Sequence, residues 1–165
     1  MRVGDVMRRK LVTAGPELPL HDLQELLLRE RVSGVPVVEG GEVLGVVSRS
    51  DLVRQLEVER SQFATVAAFY LEPFDVETES ESQRMQVPEA VAARFERLRV
   101  RDAMVRDVVS VSPAASLAEA ARLMVERRVH RLLVLEGGRL AGLVSALDLV
   151  GLVASGQLVE PGGGA

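Results

Sequence analysis

The chain contains two copies of one sequence, and this internal repeat constrains the fold more than any other feature. A shift of 97 positions aligns residues 3–53 with residues 100–150 without a gap, and 20 of the 51 paired positions are identical. The best-matched stretch is VPVVEGGEVLGVVSRSDL at 35–52, which aligns with LLVLEGGRLAGLVSALDL at 132–149. Self-similarity over this length indicates two copies of one structural unit. The chain is therefore predicted to fold as a tandem pair.

Composition and charge exclude several classes of protein. The 165 residues are 47% hydrophobic, which is typical of a globular chain. The net charge of −4 provides no basic stripe for phosphate backbones, so nucleic acid is not a predicted partner. The amino terminus lacks the apolar segment of a signal peptide, and no apolar stretch is long enough to cross a membrane. Because there is no cysteine, disulfides and thiolate metal sites are excluded, and we expect a cytoplasmic protein.

Each repeat has the hydrophobic pattern of a βαββα unit. In the first copy a short strand at 11–13 precedes an amphipathic helix over 20–31. Apolar runs at 35–38 and 43–47 predict two strands, and the glycine pair at 40–41 can adopt the positive φ angles of a hairpin turn. The second copy repeats this order. The predicted fold class is α/β (α+β), with two βαββα units in a pseudo-two-fold arrangement, each too small to be stable alone.

The second helix of each unit is predicted to begin at a Ser-x-x-Asp sequence. Ser48 precedes Asp51 in the first repeat, and Ser145 precedes Asp148 in the second. A serine at the N-cap with an acidic residue three positions later forms a capping box, which stabilises a helix start. Pro36 lies in the preceding strand, and because it has no backbone donor it is predicted to lie at the start or the edge of that strand and not at a central, fully paired position.

The segment between the repeats has a composition of its own, because it contains all five aromatic residues of the chain. Phe63, Tyr70 and Phe74 recur at helical spacing on one face, which predicts a helical insert and a homodimer interface. The predicted segments are a first motif at 1–57, the helical insert at 58–99, a second motif at 100–157 and a disordered tail at 158–165.

The motifs of the two repeats resemble the CBS domain, the cystathionine-β-synthase repeat that occurs in tandem as a Bateman module. Each repeat has V-x-D-x-M and a hydrophobic-x-Pro step, followed by GVPVV at 34–38 or HRLLV at 130–134. The repeats then continue with GVVSRSDL at 45–52 or GLVSALDL at 142–149. The resemblance implies a module that binds adenine nucleotides of the AMP, ADP or ATP kind, or sometimes S-adenosylmethionine, in clefts between the sheets. It also implies that catalysis belongs to other attached domains and that no cofactor is required.

The resemblance also implies which side chains contact the ribose. Asp51 and Asp148 occupy the ribose position, with Ser48 and Ser145 beside them. The chemistry is suitable, because a carboxylate at a helix start can accept hydrogen bonds from two adjacent hydroxyls, while first-turn N–H groups can bind a phosphate. The alternative is that each Ser-x-x-Asp sequence is a capping box and binds no ligand.

The phosphate position is predicted to differ between the repeats. His130 and Arg131 match the H-R-L segment that contacts phosphate in AMP-sensing CBS subunits. The first repeat has Ser33 and Gly34 there, which departs from the pattern, and Arg49 is the nearest substitute. A charge-assisted contact between arginine and phosphate is a strong hydrogen bond, so Arg131 is the more important residue of its pair. The alternative for both is a solvated surface side chain.

The base position must be apolar and without aromatic rings, because neither repeat contains one. The candidates for base walls are Val12, Val35, Pro36, Val109 and Leu132, and the alternative for most of them is an ordinary core position. Thr13 and Ser110, at the ends of the first strands, can bond a base edge or a phosphate, and the alternative is an ordinary strand-end hydroxyl.

No catalytic or metal-binding pattern is present. The two histidines, His21 and His130, are far apart, and there is no HExxH, Walker A or strand-following G-x-G-x-x-G sequence. We therefore expect a non-enzymatic protein and carry two hypotheses. The first is a nucleotide-sensing module that regulates a partner protein. The second is a structural or oligomerising module with empty clefts.

Overall fold

The computed structural model describes residues 1–70, 93 and 96–157, without the side chains of 59, 60 and 62–70. The elements in chain order are α1 (Val3–Val6), α2 (Leu20–Arg29), β1 (Gly34–Glu39), β2 (Glu42–Ser48), α3 (Arg49–Tyr70), α4 (Val100–Ala103), β3 (Ser110–Val111), α5 (Leu117–Arg127), β4 (Arg131–Glu136), β5 (Arg139–Ser145) and α6 (Ala146–Ala154). The predicted α/β class is confirmed. None of the helices within these ranges is long and apolar enough to span a membrane.

The strands form one five-stranded sheet in the order β1-β2-β5-β4-β3. β4 pairs antiparallel with β5 and parallel with β3. β2 pairs antiparallel with β5 where Glu42 faces Arg139, the residue at the same position of the other repeat. β1 lies at one edge of the sheet, where a proline within a strand is tolerated.

The hairpin turns follow the sequence prediction. Gly40 and Gly41 have φ angles of 60° and 89°, and Gly137 and Gly138 have 58° and 82°. Two consecutive residues with positive φ are the geometry of a type I′ turn, whose twist matches that of the flanking strands. The glycine pair therefore sets the register of both hairpins.

The first strand of each repeat is shorter than predicted. Residues 11–13 form no strand, and the chain makes only a single parallel bridge there, between Ala14 and Val37. In the second repeat the strand is limited to the two residues of β3. The physical reason is the turn that begins at Pro16 and again at Pro113, which carries the chain away from the sheet.

The chain divides into two compact units, and neither unit is a single repeat. The first comprises Met1–Thr13, Val38–Gly45 and Arg106–Ala165, and the second comprises Ala14–Val37 and Val46–Val105. Each unit therefore combines the first residues of one repeat with most of the other repeat. We call residues 2–8 the first arm and residues 99–105 the second arm.

The first arm completes the core of the first unit. Val3 donates its amide to Ala115 at 2.9 Å, and Arg8 pairs with Leu143 through two backbone hydrogen bonds of 2.9 and 3.0 Å. The buried core of this unit consists of Val3, Met7, Leu117, Ala120, Met124, Leu132, Val134 and Val144. Val3 and Met7 of the first repeat are thus buried among residues of the second.

The second arm makes the equivalent contacts in the second unit, because each residue and its partner occupy the same positions in the opposite repeats. Val100 donates its amide to Leu18 at 2.9 Å, and Val105 pairs with Val46 through hydrogen bonds of 2.8 and 2.9 Å. Val100 is fully buried. Because each repeat supplies an arm to the other, this exchange gives a physical reason for the expectation that neither half is stable alone.

Candidate functional site

The second repeat brings a serine, an aspartate and a helix start together after β5. Ser145 is the N-cap of α6, and its amide and hydroxyl donate to Oδ2 of Asp148 at 2.8 and 2.5 Å. The Asp148 amide donates back to the Ser145 hydroxyl oxygen at 3.2 Å. This arrangement is the capping box that the spacing predicts.

Two of these hydrogen bonds recur in the first repeat, at the start of α3. The Ser48 amide and hydroxyl donate to Oδ2 of Asp51 at 2.8 and 2.6 Å. Asp51 is the more deeply buried of the two aspartates, with 7% of its surface exposed. In both repeats, one carboxylate oxygen is thus used by the helix cap.

The other oxygen of each carboxylate accepts from an arginine, but the arginines come from different places. Arg54, one turn further along α3, donates to Oδ1 of Asp51 at 2.9 Å. Arg8, from the first arm, donates to Oδ1 of Asp148 at 2.7 and 3.2 Å. Position 151, equivalent to Arg54, is a glycine, so the second repeat has no local arginine there.

These contacts lower the pKa of Asp148. Partial burial by itself raises the pKa of this carboxyl. The hydrogen bond from the Ser145 hydroxyl, the hydrogen bond from Arg8 and the Ser145 amide outweigh burial, and the pKa lies below its ordinary value. Asp148 is therefore ionised at neutral pH and can act only as an acceptor.

The predicted phosphate residues of the second repeat lie beside this cap. Arg131 faces Ser145 across the β4–β5 ladder, and the His130 carbonyl accepts from the Ala146 amide at 2.9 Å. Both side chains are exposed. The structure therefore brings Arg131, Ser145 and Asp148 to one place at the start of α6.

The equivalent place in the first repeat has a different cation. The Arg49 amide donates to the Ser33 carbonyl at 3.0 Å, which reproduces the backbone contact of the second repeat. The Arg49 guanidinium donates to the Leu27 carbonyl at 3.4 Å, a long hydrogen bond. An open cavity of about 370 Å³ lies alongside, lined by Arg49, Ser50, Val53, Arg54 and Glu57.

Most of the residues predicted to line the base are as buried as core residues. Val35 is 3% exposed and Leu132 is fully buried, and Pro36 is also buried. Ser110, the first residue of β3, and Val109 just before it are half-buried, and the Val109 carbonyl accepts from the Leu133 amide at 3.3 Å. Side chains without accessible surface contact a base only if the strands shift. Val109 and Ser110 are therefore the more accessible candidates.

The compact units group the candidates largely by repeat. The first unit contains Thr13, Val109, Ser110, His130, Arg131, Leu132, Ser145 and Asp148. The second unit contains Val35, Pro36, Ser48, Arg49 and Asp51. Thr13 is exposed and is the only first-repeat candidate in the first unit.

Two arginines at the site were not predicted from the sequence. Arg54 lies three residues after Asp51, and helical spacing is a signal from which that ion pair can be predicted. Arg8 lies 140 residues from Asp148, and no local pattern connects them. The aromatic side chains predicted to form a dimer interface, those of Phe63, Tyr70 and Phe74, lie outside the part of the chain whose side chains are described.

Comparison with known proteins identifies two matches to one family model. The model for the CBS domain matches residues 3–58 and again residues 100–155. An uncharacterised protein of Methanocaldococcus jannaschii is 26% identical over 152 residues, which cover 91% of this chain and 89% of that protein. The chloroplastic CBS domain-containing protein CBSX2 of Arabidopsis thaliana is 31% identical over 90% of this chain and 61% of its own length.

Solved structures share the fold. The crystal structure of CBSX2 in complex with AMP has a TM-score of 0.67 at 24% identity and covers 95% of this chain and 98% of that one. A CBS domain pair in complex with 5′-methylthioadenosine and S-adenosyl-L-methionine has a TM-score of 0.63 at 15% identity, over 94% of this chain and 97% of that one.

The sequence also matches the inosine-5′-monophosphate dehydrogenases of Korarchaeum cryptofilum and Thermoplasma acidophilum, but the chain spans only 23% of their length.

Proposed function

Since this chain belongs to the CBS domain family and carries the domain twice, we propose that it is a regulatory module that binds an adenine nucleotide of the AMP, ADP or ATP kind. Related folds solved with AMP and with S-adenosyl-L-methionine support this ligand class. We propose binding rather than catalysis, because the dehydrogenases share only 23% of their length with the chain. A cytoplasmic location and the regulated partner protein stay predictions.

The observation that carries the proposal is the convergence of Arg131, Ser145 and Asp148 at the start of α6. Arg131 faces Ser145 on adjacent strands, and Ser145 bonds Asp148. A nucleotide needs an acceptor for ribose hydroxyls and a cation for phosphate, and Asp148 and Arg131 supply these two groups. Ser110 of the edge strand β3, and Val109 just before it, are the more accessible residues proposed for the base.

The two repeats are proposed to differ in affinity. The second repeat has His130 and Arg131 where the first has Ser33 and Gly34. Arg49 is the substitute cation in the first repeat, but its guanidinium bonds the Leu27 carbonyl. Loss of a charge-assisted hydrogen bond costs about 1.5–3 kcal/mol, or roughly ten- to hundredfold in affinity. We therefore propose that a site with the second repeat's chemistry is occupied first.

A second candidate function is a structural or oligomerising module, and the helix caps favour it. Both aspartates have hydrogen-bond partners on both carboxylate oxygens without any ligand. A cap of this kind stabilises a helix start by itself. Under this alternative, Phe63, Tyr70 and Phe74 of the insert supply a homodimer interface.

Isothermal titration calorimetry with AMP, ADP, ATP and S-adenosylmethionine distinguishes these functions. The proposed function expects saturable binding of at least one adenine nucleotide below millimolar concentration. S-adenosylmethionine carries no phosphate, so preferential binding of it would shift the function to sensing of that ligand. If none of the four ligands binds at millimolar concentration, the structural module is the better description.

A further inference from the structure

The Arg8 side chain of the first arm forms an ion pair with Asp148, the carboxylate that the proposed function assigns to the ribose hydroxyls. Its Nη2 lies 2.7 Å and its Nε 3.2 Å from Oδ1 of Asp148. The Arg8 side chain is 63% exposed, whereas that of Asp148 is 15% exposed. The partner that can move into solvent is therefore the arginine.

Oδ1 is the oxygen of Asp148 that a ribose hydroxyl can bond without disturbing the helix cap. Its Oδ2 already accepts from the amide and the hydroxyl of Ser145, and these bonds hold the first turn of α6. A ribose hydroxyl that bonds this carboxylate without breaking the cap must approach Oδ1. Arg8 already donates two hydrogen bonds to that atom.

The first repeat provides an internal comparison. Its aspartate, Asp51, is held by Arg54 of the same helix. The residue of the second arm equivalent to Arg8 is Val105, which has no charge. Among the described residues, an arm therefore reaches across to the aspartate of the other repeat in one place, at Asp148.

We infer that Arg8 is an affinity determinant of the second-repeat site, because it competes with the ribose hydroxyls for Oδ1 of Asp148. This inference rests on the proposed function. Bound nucleotide displaces the Arg8 side chain into solvent. By thermodynamic linkage, the ion pair lowers the affinity for the nucleotide by the same factor by which the bound nucleotide weakens the ion pair. The arm itself stays attached, because Val3 and Met7 remain buried in the core of the unit.

The test compares Arg8→Ala with wild type in titrations with adenosine and with AMP. Adenosine has the ribose hydroxyls but no phosphate, so it isolates the competition for Asp148. Removal of an exposed ion pair is expected to raise the affinity for both ligands roughly two- to fivefold. Arg8→Lys, which keeps the charge but has a single nitrogen, is expected to lie between wild type and Arg8→Ala. Binding of 2′,3′-dideoxyadenosine is expected to be unaffected.

Arg9→Ala is the matched control, because Arg9 is the neighbouring arginine and its guanidinium donates to the Gly4 carbonyl instead of to Asp148. It is expected to leave the adenosine affinity unchanged. Thermal melts check that the Arg8 variants are folded, and Arg8→Gln serves as a second variant if Arg8→Ala is not. Equal adenosine affinity in wild type and variant overturns the inference while the proposed function stands. A fall in AMP affinity with unchanged adenosine affinity also overturns it, since Arg8 is then a phosphate ligand. If the wild type binds neither ligand, the inference and the proposed function both fail.

Discussion

Arg31 and Arg128, which occupy the same position in the two repeats, both adopt the left-handed backbone conformation, with φ angles of 54° and 53°. Arg31 lies at the C-terminal end of α2 and Arg128 at that of α5, and the next residue closes each helix end. Val32 donates to the Leu27 carbonyl at 3.1 Å, and Val129 donates to the Met124 carbonyl at 3.0 Å. This is the pattern of a Schellman motif, in which glycine is the usual left-handed residue. Both repeats therefore keep an arginine where a glycine is less strained.

Replacement of Arg128 by glycine is expected to stabilise the protein. The left-handed conformation costs a non-glycine residue roughly 1–2 kcal/mol, and the larger unfolded-state entropy of glycine offsets part of this gain. We expect Arg128→Gly to raise the free energy of unfolding by about 0.5–1 kcal/mol in urea denaturation. Arg122→Gly is the control, because this exposed residue lies in the middle of α5, where glycine should destabilise by about 1 kcal/mol. Equal destabilisation by both variants would contradict this account.

Contact of the first arm with the second repeat depends on the absence of a side chain at Gly142. A Cβ atom there would lie 2.7 Å from Met7 Sδ and 2.8 Å from the Arg8 carbonyl oxygen. Because the second atom belongs to the backbone, the arm itself must move. We expect Gly142→Ala to lower the free energy of unfolding by about 1–3 kcal/mol, measured by chemical denaturation.

Gly151→Ala is the control for this steric effect. Gly151 lies inside α6, and an added Cβ meets nothing within 4 Å. Alanine is the better helix former, so we expect stabilisation by about 0.5–1 kcal/mol. A neutral Gly142→Ala substitution would mean that the arm does not pack there as described.

Local features could be predicted from the sequence because their signals are local. Ser48 and Asp51 are three residues apart, and the adjacent Gly40 and Gly41 allow a type I′ turn without a partner being known. The exchange of arms has no such signal, since Arg8 and Leu143 pair through backbone atoms that any sequence provides. The prediction of a strand at 11–13 was wrong: β-branched residues favour a strand, but only Ala14 pairs with β1, through a single bridge to Val37, before the turn at Pro16 begins.

The candidate site could be predicted only in part, for a related reason. Apolar residues of a base pocket and of a core have the same sequence pattern, and only burial separates them. Leu132 is fully buried, whereas Val109 is half-buried, and the sequence offers no means of ranking them. The cation on Asp148 was missed because Arg8 is brought to it by tertiary structure alone.

The ionised state of Asp148 is expected to make stability depend on pH. Its pKa in the folded protein is lowered by Ser145 and Arg8 in spite of burial. A lowered folded-state pKa means that the carboxylate stabilises the fold above the ordinary aspartate pKa, and that this contribution is lost as pH falls through the folded-state pKa. We expect the difference in unfolding free energy between wild type and Asp148→Asn to be constant near neutral pH and to shrink below about pH 4.

Asp107→Asn is the control for this pH dependence, because residue 107 is exposed. Urea denaturation of the three proteins between pH 7 and pH 3 gives the comparison. A difference between wild type and Asp148→Asn that stays constant over the whole range would show that the carboxylate charge is not responsible.

Substitutions at the proposed nucleotide site are expected to affect AMP binding unequally in the two repeats. Arg131→Ala removes the cation beside Ser145 and Asp148, and Asp148→Ala removes the ribose acceptor. Each is expected to weaken AMP binding at least about tenfold in calorimetry, since a charge-assisted hydrogen bond contributes about 1.5–3 kcal/mol. Ser33→Ala, at the position equivalent to His130, is expected to change the affinity little.

Asp148→Ala also removes the acidic side chain of the capping box on α6, so its effect on folding must be separated from its effect on binding. Because Ser145 stays as the N-cap residue, the loss should be smaller than the roughly 0.5–2 kcal/mol of a removed N-cap, and a thermal melt measures it. Asp148→Asn keeps an oxygen for the Ser145 amide while removing the charge, and it should therefore weaken AMP binding with a smaller loss of stability. Asp51→Asn makes the same change in the first repeat, where we propose the weaker site. If Asp51→Asn weakens the tighter binding step and Asp148→Asn does not, the first repeat supplies the main ribose acceptor and our ranking of the repeats is reversed.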